Sequence, residues 1–507
     1  MTQPVLELRG ITKRFGALTA NDDISLTLQK GELLALLGEN GAGKTTLMNI
    51  LFGHYEADEG EVFAFGEALP PGRPRAAIEA GIGMVHQHFT LAANLTVLDN
   101  VILGTEPLAK PWSNRSAARR RLVAAAEKFG LVVDPDARVG DLSVGEQQRV
   151  EILKSLYRDA RVLILDEPTA VLTAPEAERL FATLKVMARE GLSLIFISHK
   201  LGEVMAAADR IVVLRAGKVV AERKVGETSR QELAELMVGR RVQRPKREPQ
   251  TPGDVRLAAS GIHVVENGAR RLDGISFDVR SGEVLGIIGV SGNGQSTLGA
   301  LASGLIAPDA GELRIAGKAV RHPSPQSFVA QKIGRVPEDR HAEGAVGDLS
   351  VWENAVLERL GDPTFARGGF LKKGAARDFA ARIIERFDVR GAGPDTRTRL
   401  LSGGNMQKLI LGRNLIGEPD ILVVNQPTRG LDEGAVAAVH GEILAARRAG
   451  AAVLLISEDL DEVMALADRV QAIVKGRLSA PVEADHLDPQ KLGLMIAGLW
   501  SEADHAA

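Results

Sequence analysis

The chain of 507 residues contains no cysteine, which excludes disulfides and zinc or iron–sulfur sites built on cysteine thiolates. It has no uninterrupted apolar run of about 18 residues, so we expect no membrane-spanning helix. Its first residues lack the basic segment and apolar core of a secretory signal. The formal net charge is −3, from 62 basic and 65 acidic residues, and does not indicate nucleic acid as a partner. Any membrane role is therefore expected to depend on another protein.

One unit of about 250 residues occurs twice in the chain, which indicates a domain duplication. Gly289 stands 251 residues after Gly38, whereas Asn425 stands 259 residues after Asp166. The two offsets differ by eight, so the second copy carries eight extra residues, between its counterparts of Gln87 and Ser143. The predicted domains are residues 1–240 and 257–507. Residues 241–256, rich in Pro, Arg and Lys, are interpreted as an exposed linker that is a solvated connector rather than a lipid contact.

Short apolar runs alternate with amphipathic stretches in each copy. Such alternation predicts an α/β fold with a largely parallel sheet. The interval from Leu91 to Tyr157 lacks strand character and includes an Arg- and Ala-rich stretch, so we expect a helical subdomain there. The catalytic elements should therefore lie on the turns that join strands to helices.

The stretch "GENGAGKTT", Gly38 to Thr46, has the spacing of a phosphate-binding loop between a strand and a helix. Glycines let backbone N–H groups face a phosphate chain, and the following helix adds the positive end of its dipole. Lys44 supplies a charge for the β and γ phosphates, and Thr45 a hydroxyl for Mg²⁺. The predicted nucleotide contacts are Gly38, Glu39, Asn40, Gly41, Ala42, Gly43, Lys44, Thr45 and Thr46.

An acidic pair, Asp166 and Glu167, follows the apolar run "VLIL". Asp166 is placed to reach the metal shell, and Glu167 to orient or deprotonate the attacking water. Gln87 is a further candidate for the metal and water, His199 for the γ-phosphate, and Phe15 for stacking on adenine. Taken singly, these three residues are better explained as a surface glutamine, a structural histidine and a core phenylalanine.

The ordered set "GENGAGKTT", Gln87, "LSVGEQQR", "LILDEPT" and His199, with "LSGGNMQK" in the second copy, resembles the nucleotide-binding domain of ATP-binding cassette (ABC) proteins. The resemblance covers nearly the whole chain, once per half. It implies two P-loop NTPase domains, each with a RecA-like α/β core, an N-terminal antiparallel β portion and a helical subdomain. It also implies ATP and Mg²⁺ as cofactors, with Thr45, Gln87 and Asp166 as the residues around the metal. In this family two domains pair head to tail, and each ATP lies between the phosphate loop of one and the signature segment of the other. The further nucleotide contacts that this pairing implies are Ser402, Gly403, Gly404, Asn405, Gly289, Gly294, Gln295, Ser296, Thr297, Ser143 and Gly145.

The second copy keeps the glycines of its loop, "GVSGNGQST", but loses the reactive groups. The altered positions, each given with its first-copy counterpart, are Gln295 for Lys44, Asn425 for Asp166, Gln426 for Glu167, Glu458 for His199, Glu338 for Gln87 and Glu266 for Phe15. Glutamine and asparagine still form hydrogen bonds but do not act as bases near neutral pH. We therefore expect one competent and one degenerate ATP site, with Glu167, His199 and Gln87 as the catalytic residues of the first.

The resemblance is compatible with three classes of cassette ATPase: transport ATPases, soluble tandem factors that act on ribosomes, and DNA repair or chromosome proteins. The degenerate acids argue against the second class, and the absence of zinc cysteines or long coiled coils argues against the third. "GMVHQHFTL" and "NQPTRG" resemble the nucleoside importers associated with basic membrane lipoproteins, and a ribose- or galactose-type sugar importer is the alternative. The expected partners are membrane permeases, docking near Phe89–Gly104 and Leu349–Leu357, and indirectly a solute-binding lipoprotein. The resemblance places the chain at the cytoplasmic face of the membrane. His86 and His88 lack a third ligand for a metal site.

Overall fold

The computed structural model describes residues 3–16, 18–86, 89–105, 114–169, 172, 174–198, 200–239 and 245–500. Three residues discussed above, Gln87, His88 and His199, lie outside these ranges. The chain forms two compact units, Met1–Val242 and Gln243–Ala507, which are described separately below. Within the described ranges, no helix combines the length and apolarity needed to cross a membrane.

The first unit alternates strands and helices along most of its length. In chain order its elements are β1 (Leu6–Phe15), β2 (Leu18–Leu28), β3 (Leu33–Leu37), α1 (Lys44–Phe52), β4 (Glu59–Ala64), β5 (Glu67–Ala68), α2 (Pro74–Glu79), β6 (Ile82–Val85), α3 (Val97–Ile102), α4 (Arg115–Phe129), α5 (Val144–Tyr157), β7 (Val162–Asp166), α6 (Ala174–Arg189), β8 (Ser193–Ile197), α7 (Leu201–Ala207), β9 (Arg210–Arg215), β10 (Lys218–Lys224) and α8 (Arg230–Val238).

Two sheets organise this unit. An antiparallel sheet has the order β2-β1-β4-β5, with Leu6 opposite both Leu28 and Ala64. The larger sheet has the order β10-β9-β3-β8-β7-β6, and its strands from β9 to β6 are parallel. All five residues of β3 and all five of β7 are buried, because parallel strands are covered on both faces. The polar residues that follow these strands consequently lie at one edge of the sheet, where their carboxyl ends meet.

The helical subdomain predicted between Leu91 and Tyr157 is confirmed. The described part of this interval contains α3, α4 and α5 and no strand. The three helices begin at side-chain caps: the oxygens of Thr96, Asn114 and Ser143 accept hydrogen bonds from backbone N–H groups in the first turn.

The second unit repeats this arrangement. In chain order its elements are β11 (Val255–Glu266), β12 (Ala269–Arg280), β13 (Val284–Ile288), α9 (Gln295–Ala302), β14 (Ala310–Ile315), β15 (Lys318–Ala319), α10 (Pro325–Ala330), β16 (Ile333–Val336), α11 (Val351–Val356), β17 (Ala366–Arg367), β18 (Phe370–Leu371), α12 (Lys373–Arg386), α13 (Gly403–Leu415), β19 (Ile421–Asn425), α14 (Glu433–Arg448), β20 (Ala452–Ser457), α15 (Leu460–Leu466), β21 (Arg469–Val474), β22 (Arg477–Leu478), β23 (Val482–Glu483) and α16 (Pro489–Ile496).

Its sheets match those of the first unit. The antiparallel sheet has the order β12-β11-β14-β15, and the core sheet has the order β16-β19-β20-β13-β21-β22, with β16, β19, β20, β13 and β21 parallel. A small hairpin, β17–β18, lies in the interval in which the second copy is eight residues longer. The predicted fold class, two α/β cassettes each with an antiparallel portion and a helical subdomain, is therefore observed in both units.

The connector before β11 forms hydrogen bonds with the second unit. Residues 245–253 contain no helix or strand, and most of them are exposed, as a linker predicts. Arg247 departs from the expectation of a solvated connector, because its guanidinium donates to Asp468 at 2.9 Å. Asp468 also accepts two hydrogen bonds from the buried Arg447, which in turn donates to the carbonyl oxygen of Glu248 at 2.9 Å. This part of the connector therefore packs as an extension of the second unit.

Candidate functional site

The first phosphate loop joins the buried strand β3 to α1, and its shape requires glycine. Gly43, the residue before α1, has φ +98°, and a Cβ atom there would lie 2.2 Å from the carbonyl oxygen of Ala20. Gly41 has φ +84°, in the left-handed region that side chains rarely adopt. The loop can therefore curl tightly and turn its backbone N–H groups toward a bound anion.

Lys44 is the first residue of α1, and it is buried, with 6% of its surface exposed. Its Nζ donates to the carbonyl oxygens of Gly38 at 2.7 Å and Glu39 at 2.9 Å. These bonds hold the ammonium group against the backbone of the phosphate loop. A buried ammonium fixed in this way is a preorganised point charge for a phosphate group.

Asp166 is the last residue of β7, and it brings a carboxylate to the start of α1. It is 6% exposed and bonds to the hydroxyl of Thr45. Burial, with a smaller contribution from Glu167, raises the pKa of Asp166 to about 6, against the opposing effects of Lys44 and of the Thr45 bond. A carboxylate beside a hydroxyl is the oxygen donor set that a hard cation such as Mg²⁺ prefers. The residues present therefore fit the metal that the sequence predicts.

Glu167 has an unusual backbone conformation that Gln426 repeats in the second unit. Their φ angles are +46° and +48°, in the left-handed region that is uncommon for residues other than glycine. Each backbone N–H donates across to the end of the next strand, to Ile197 at 3.1 Å and to Ile456 at 2.8 Å. Local strain of this kind persists where the surrounding structure imposes it and is often found at functional sites. The second unit has thus lost the charge at this position and kept the backbone that presents it.

A carboxylate that the sequence analysis missed joins the two loops beside Glu167. Glu203, on α7, accepts hydrogen bonds from the hydroxyls of Thr169 at 2.6 Å and Ser198 at 3.3 Å. Thr169 lies two residues after Glu167, and Ser198 follows β8. Glu203 therefore ties together the segments that follow β7 and β8.

The second unit contains the same tie. Glu462, on α15, accepts hydrogen bonds from Thr428 at 2.7 Å and Ser457 at 2.6 Å, and its Oε1 lies 3.1 Å from Nε2 of the buried His440. Glu462 stands 259 residues after Glu203, the offset of the repeat. The recurrence of an acid at this offset was the signal in the sequence that could have identified both residues.

Phe15 is at the end of β1 and is 45% exposed. Its ring packs edge-on against Tyr55 at a centroid distance of 5.6 Å. It is therefore not a core phenylalanine, and its ring is accessible for stacking.

His86 stacks on His54 at 5.5 Å, and burial lowers the pKa of His86. No cluster of three or more metal-ligating side chains was found in the parts of the chain that the structure describes.

The second phosphate loop keeps the shape of the first without its ammonium group. Gly292 and Gly294 have φ +86° and +112°. Gln295, 4% exposed, donates through Nε2 to the carbonyl oxygen of Val290 at 2.8 Å and accepts from the backbone N–H of Asn293 at 3.1 Å. Val290 is the counterpart of Glu39, so the amide of Gln295 fills the position that the ammonium of Lys44 takes in the first unit.

A charged network lies beside this second loop. The hydroxyl of Ser296 donates to Glu338 at 3.0 Å, and the other oxygen of Glu338 accepts from Arg429 at 2.8 Å. The hydroxyl of Thr297 donates to Glu266 at 3.3 Å. The sequence predicted the substitution of Glu338 for Gln87. It did not point to Arg429, because the first-copy counterpart of Arg429 is Ala170, which has no functional side chain to compare.

Each unit has one signature segment, and each segment lies at the start of a helix. Ser143 caps α5, and Gly145 is the second residue of that helix. Ser402 caps α13, whose first two residues are Gly403 and Gly404. The positive end of a helix dipole thus follows each signature serine, as the predicted anion contact requires.

Comparison with known proteins identifies the family of the chain. The model of the ABC transporter family matches residues 21–170 and 272–429, one range in each unit. The chain belongs to the ABC transporter family. Its cassettes have the P-loop NTPase fold of that family, and its activity class is that of an ABC-type transport ATPase, as predicted.

Relatives match this ABC protein over nearly its whole length. The nucleoside import ATP-binding protein NupA of Lactococcus lactis subsp. cremoris (strain MG1363) is 44% identical over 98% of both chains. The glucose import ATP-binding protein TsgD13 of Haloferax volcanii is 43% identical, over 98% of this chain and 96% of its own. Among solved structures, the archaeal ribosome recycling factor aABCE1 covers 97% of this chain and 92% of its own with a TM-score of 0.65. At 17% identity it shows the fold alone.

Proposed function

We propose that the chain is the ATP-hydrolysing subunit of an ABC importer for nucleosides, with one competent and one degenerate ATP site. The observation that carries this proposal is the cluster of Lys44, Thr45 and Asp166 at a complete phosphate loop. Glu167 is the next residue in the chain after Asp166. The similarity of the whole chain to NupA supports the importer assignment.

In the first half we assign each residue one task. Lys44 binds the terminal phosphates of ATP, and Phe15 stacks on adenine. Thr45 and Asp166, with Gln87, hold Mg²⁺, which neutralises phosphate charge when bound. Glu167 orients and deprotonates the attacking water, and His199 contacts the γ-phosphate. The raised pKa of Asp166 fits this assignment, because a carboxylate that is costly to bury alone is stabilised by a bound cation.

The signature segments complete the assignment. We assign Ser402–Asn405, Ser143 and Gly145 to nucleotide binding, because each signature serine precedes the positive end of a helix dipole. The second half would bind nucleotide through Gly289–Thr297 and hydrolyse it poorly, because Gln426 cannot act as a base. We retain residues 1–240 and 257–507 as the two functional domains.

We further propose that the chain works at the cytoplasmic face of a membrane, where it binds permease subunits and, indirectly, a solute-binding lipoprotein. The docking segments are Phe89–Gly104 and Leu349–Leu357. Each contains a short capped helix and ends near an exposed leucine: Leu103 is 62% exposed and Leu357 is 39% exposed. Apolar side chains exposed at such positions suit a contact with another protein.

A simple-sugar importer is the second candidate, since TsgD13 is nearly as similar as NupA. The segments "GMVHQHFTL" and "NQPTRG" favour nucleosides. The likeness to aABCE1 does not support the ribosomal alternative, because at 17% identity it shows the fold alone.

The decisive experiment is purification of the chain together with its membrane subunits and lipoprotein, followed by mass analysis of the retained solute. A nucleoside in the complex, and ATP turnover that increases when the loaded lipoprotein is added, are the expected results. A retained sugar would support the second candidate. Recovery of the chain with ribosomes instead of membrane proteins would overturn the transport assignment.

A further inference from the structure

The second phosphate loop lacks the two charges that define the first, but the structure places two other charges beside it. In the first unit the charges are the ammonium of Lys44 and the carboxylate of Asp166. Their counterparts, Gln295 and Asn425, are neutral. Glu338 and Arg429 are an acidic and a basic residue whose own counterparts, Gln87 and Ala170, carry no charge.

The topology brings this new pair to the nucleotide edge of the sheet. Glu338 lies two residues beyond the end of β16, and Arg429 follows β19, the parallel neighbour of β16. Both strands end at the edge where the phosphate loop leaves β13, because the three strands are parallel members of one sheet. The hydroxyl of Ser296, at the start of α9, bonds directly to Glu338 at 3.0 Å.

The guanidinium of Arg429 is held near the loop but remains reachable. The side chain is 53% exposed, and one of its nitrogens donates to Glu338 at 2.8 Å. Its backbone carbonyl accepts a hydrogen bond from Arg340 at 2.8 Å, which fixes the segment that carries it. Arg429 also counteracts the effect of burial on Glu458, whose pKa is raised. The positive charge of Arg429 therefore bonds to Glu338 and also acts electrostatically on Glu458.

A buried acceptor at the same edge lacks a donor. Asn425 is 6% exposed, and its Oδ1 has no hydrogen-bond partner in the described structure. Its amide nitrogen lies 3.1 Å from the position that a Cβ on Gly299 of α9 would take, so the side chain is directed at this helix. Asp166 is directed at the corresponding helix of the first unit, where it bonds to the hydroxyl of Thr45. An unsatisfied buried acceptor is costly, and a water from the shell of Mg²⁺ would satisfy it.

We propose that the second half binds Mg²⁺-nucleotide with its charges relocated: Arg429 replaces the loop lysine as the phosphate-binding cation, and Glu338 replaces the strand-end aspartate as the carboxylate near the metal. This inference rests on the proposed function and names the ligands of its degenerate site. A guanidinium binds phosphate oxygens through two parallel hydrogen bonds, so it can substitute for an ammonium. Before nucleotide binds, the two side chains neutralise each other. In the complex Arg429 turns to phosphate, and Glu338 to the metal with Ser296.

The first test is equilibrium binding of radiolabelled ATP with Mg²⁺ to the full-length Glu167→Gln protein, in which turnover is slowed. About two nucleotides per chain are expected. Adding Arg429→Ala should leave about one, and further adding Gln295→Lys should restore the second, because the lysine returns the charge to its usual position. Arg314→Ala, which removes an exposed arginine paired with Glu312, is the matched control and should retain both.

The outcomes separate this inference from the proposed function. Unchanged binding of the second nucleotide in the Arg429→Ala protein would overturn the inference. Tighter binding would also overturn it and would show that the Arg429–Glu338 pair excludes nucleotide. Binding of only one nucleotide before Arg429 is changed would also overturn it. ATP hydrolysis by the unmodified chain with its permease would still support the proposed function in either case.

The second test addresses the metal. Mn²⁺ bound in the presence of ATP, counted by electron paramagnetic resonance in the same Glu167→Gln background, should fall from about two ions per chain to about one in Glu338→Ala. Adding Asn425→Asp should restore the ion, because it returns a carboxylate to the strand end. Circular dichroism shows whether each variant is folded. Retention of both ions in a folded Glu338→Ala protein would refute the assignment of Glu338.

Discussion

Replacing Asp166 by asparagine should stabilise the nucleotide-free first unit while it removes ATP turnover. Asp166 is 6% exposed, and its pKa is about 6 against an ordinary 3.8. The largest cause is burial, so the ionised carboxylate destabilises the folded state at neutral pH. Asparagine keeps the shape without the charge, as Asn425 does at the same strand end of the second unit.

The magnitude follows from the displacement of this pKa. A difference of about two units corresponds to roughly 3 kcal/mol as an upper limit, and we expect about 1–3 kcal/mol in practice. For a unit of this size each kcal/mol shifts the melting temperature by roughly 2–4 °C. The gain from Asp166→Asn should be full above pH 7. It should shrink as the pH falls through about 6 toward 4, because the aspartate then becomes protonated and loses its charge.

The assay is thermal unfolding of the nucleotide-free full chain and of the variant at a series of pH values from 5 to 8. The two units are expected to unfold separately, so the transition of the first unit must be identified, for which Gln426→Ala provides a marker of the second. The reasoning would be refuted by a variant that melts lower than the original chain at pH 8, or by a gain in stability that is independent of pH.

Three further predictions follow from the same site. Glu167→Gln should lower ATP turnover by about 10²–10⁴-fold, because it removes the proposed base. Gln426→Ala should change turnover by less than about threefold. Equal losses of turnover in steady-state assays of the two variants would contradict the model of unequal sites. Glu203→Gln should lower kcat with little change in KM for ATP, because its carboxylate holds together the loops beside Glu167. The matched Glu462→Gln should affect turnover less. A rise in KM alone would argue against a positioning role. Gly43→Ala should abolish ATP binding in the first half, because the added Cβ would stand 2.2 Å from the carbonyl oxygen of Ala20. Unchanged affinity of the first half for ATP in a filter-binding assay would contradict this geometry of the phosphate loop.

The repeat and the first phosphate loop were predictable because both are encoded locally. Glycines at fixed spacing, a lysine and a threonine specify a phosphate loop wherever a strand leads into a helix, and the alternation of apolar runs specifies the layers around it. The degenerate second loop could be read in the same way, by comparing Gln295, Asn425 and Gln426 with their counterparts. The connector was only partly predictable, because the ion pair of Arg247 with Asp468 joins residues 221 positions apart.

The amino-acid sequence by itself determined the family, the duplication and the loss of reactive groups from the second half, because each depends on residue identity at a fixed offset. Only the tertiary structure decided that Arg429 meets Glu338 and that Glu203 joins two loops. These side chains come from different strands and helices, and they become neighbours only when parallel strands bring their carboxyl ends to one edge of a sheet. The left-handed backbone of Glu167 was likewise hidden, because packing around the strand end imposes it against the local preference of the residue.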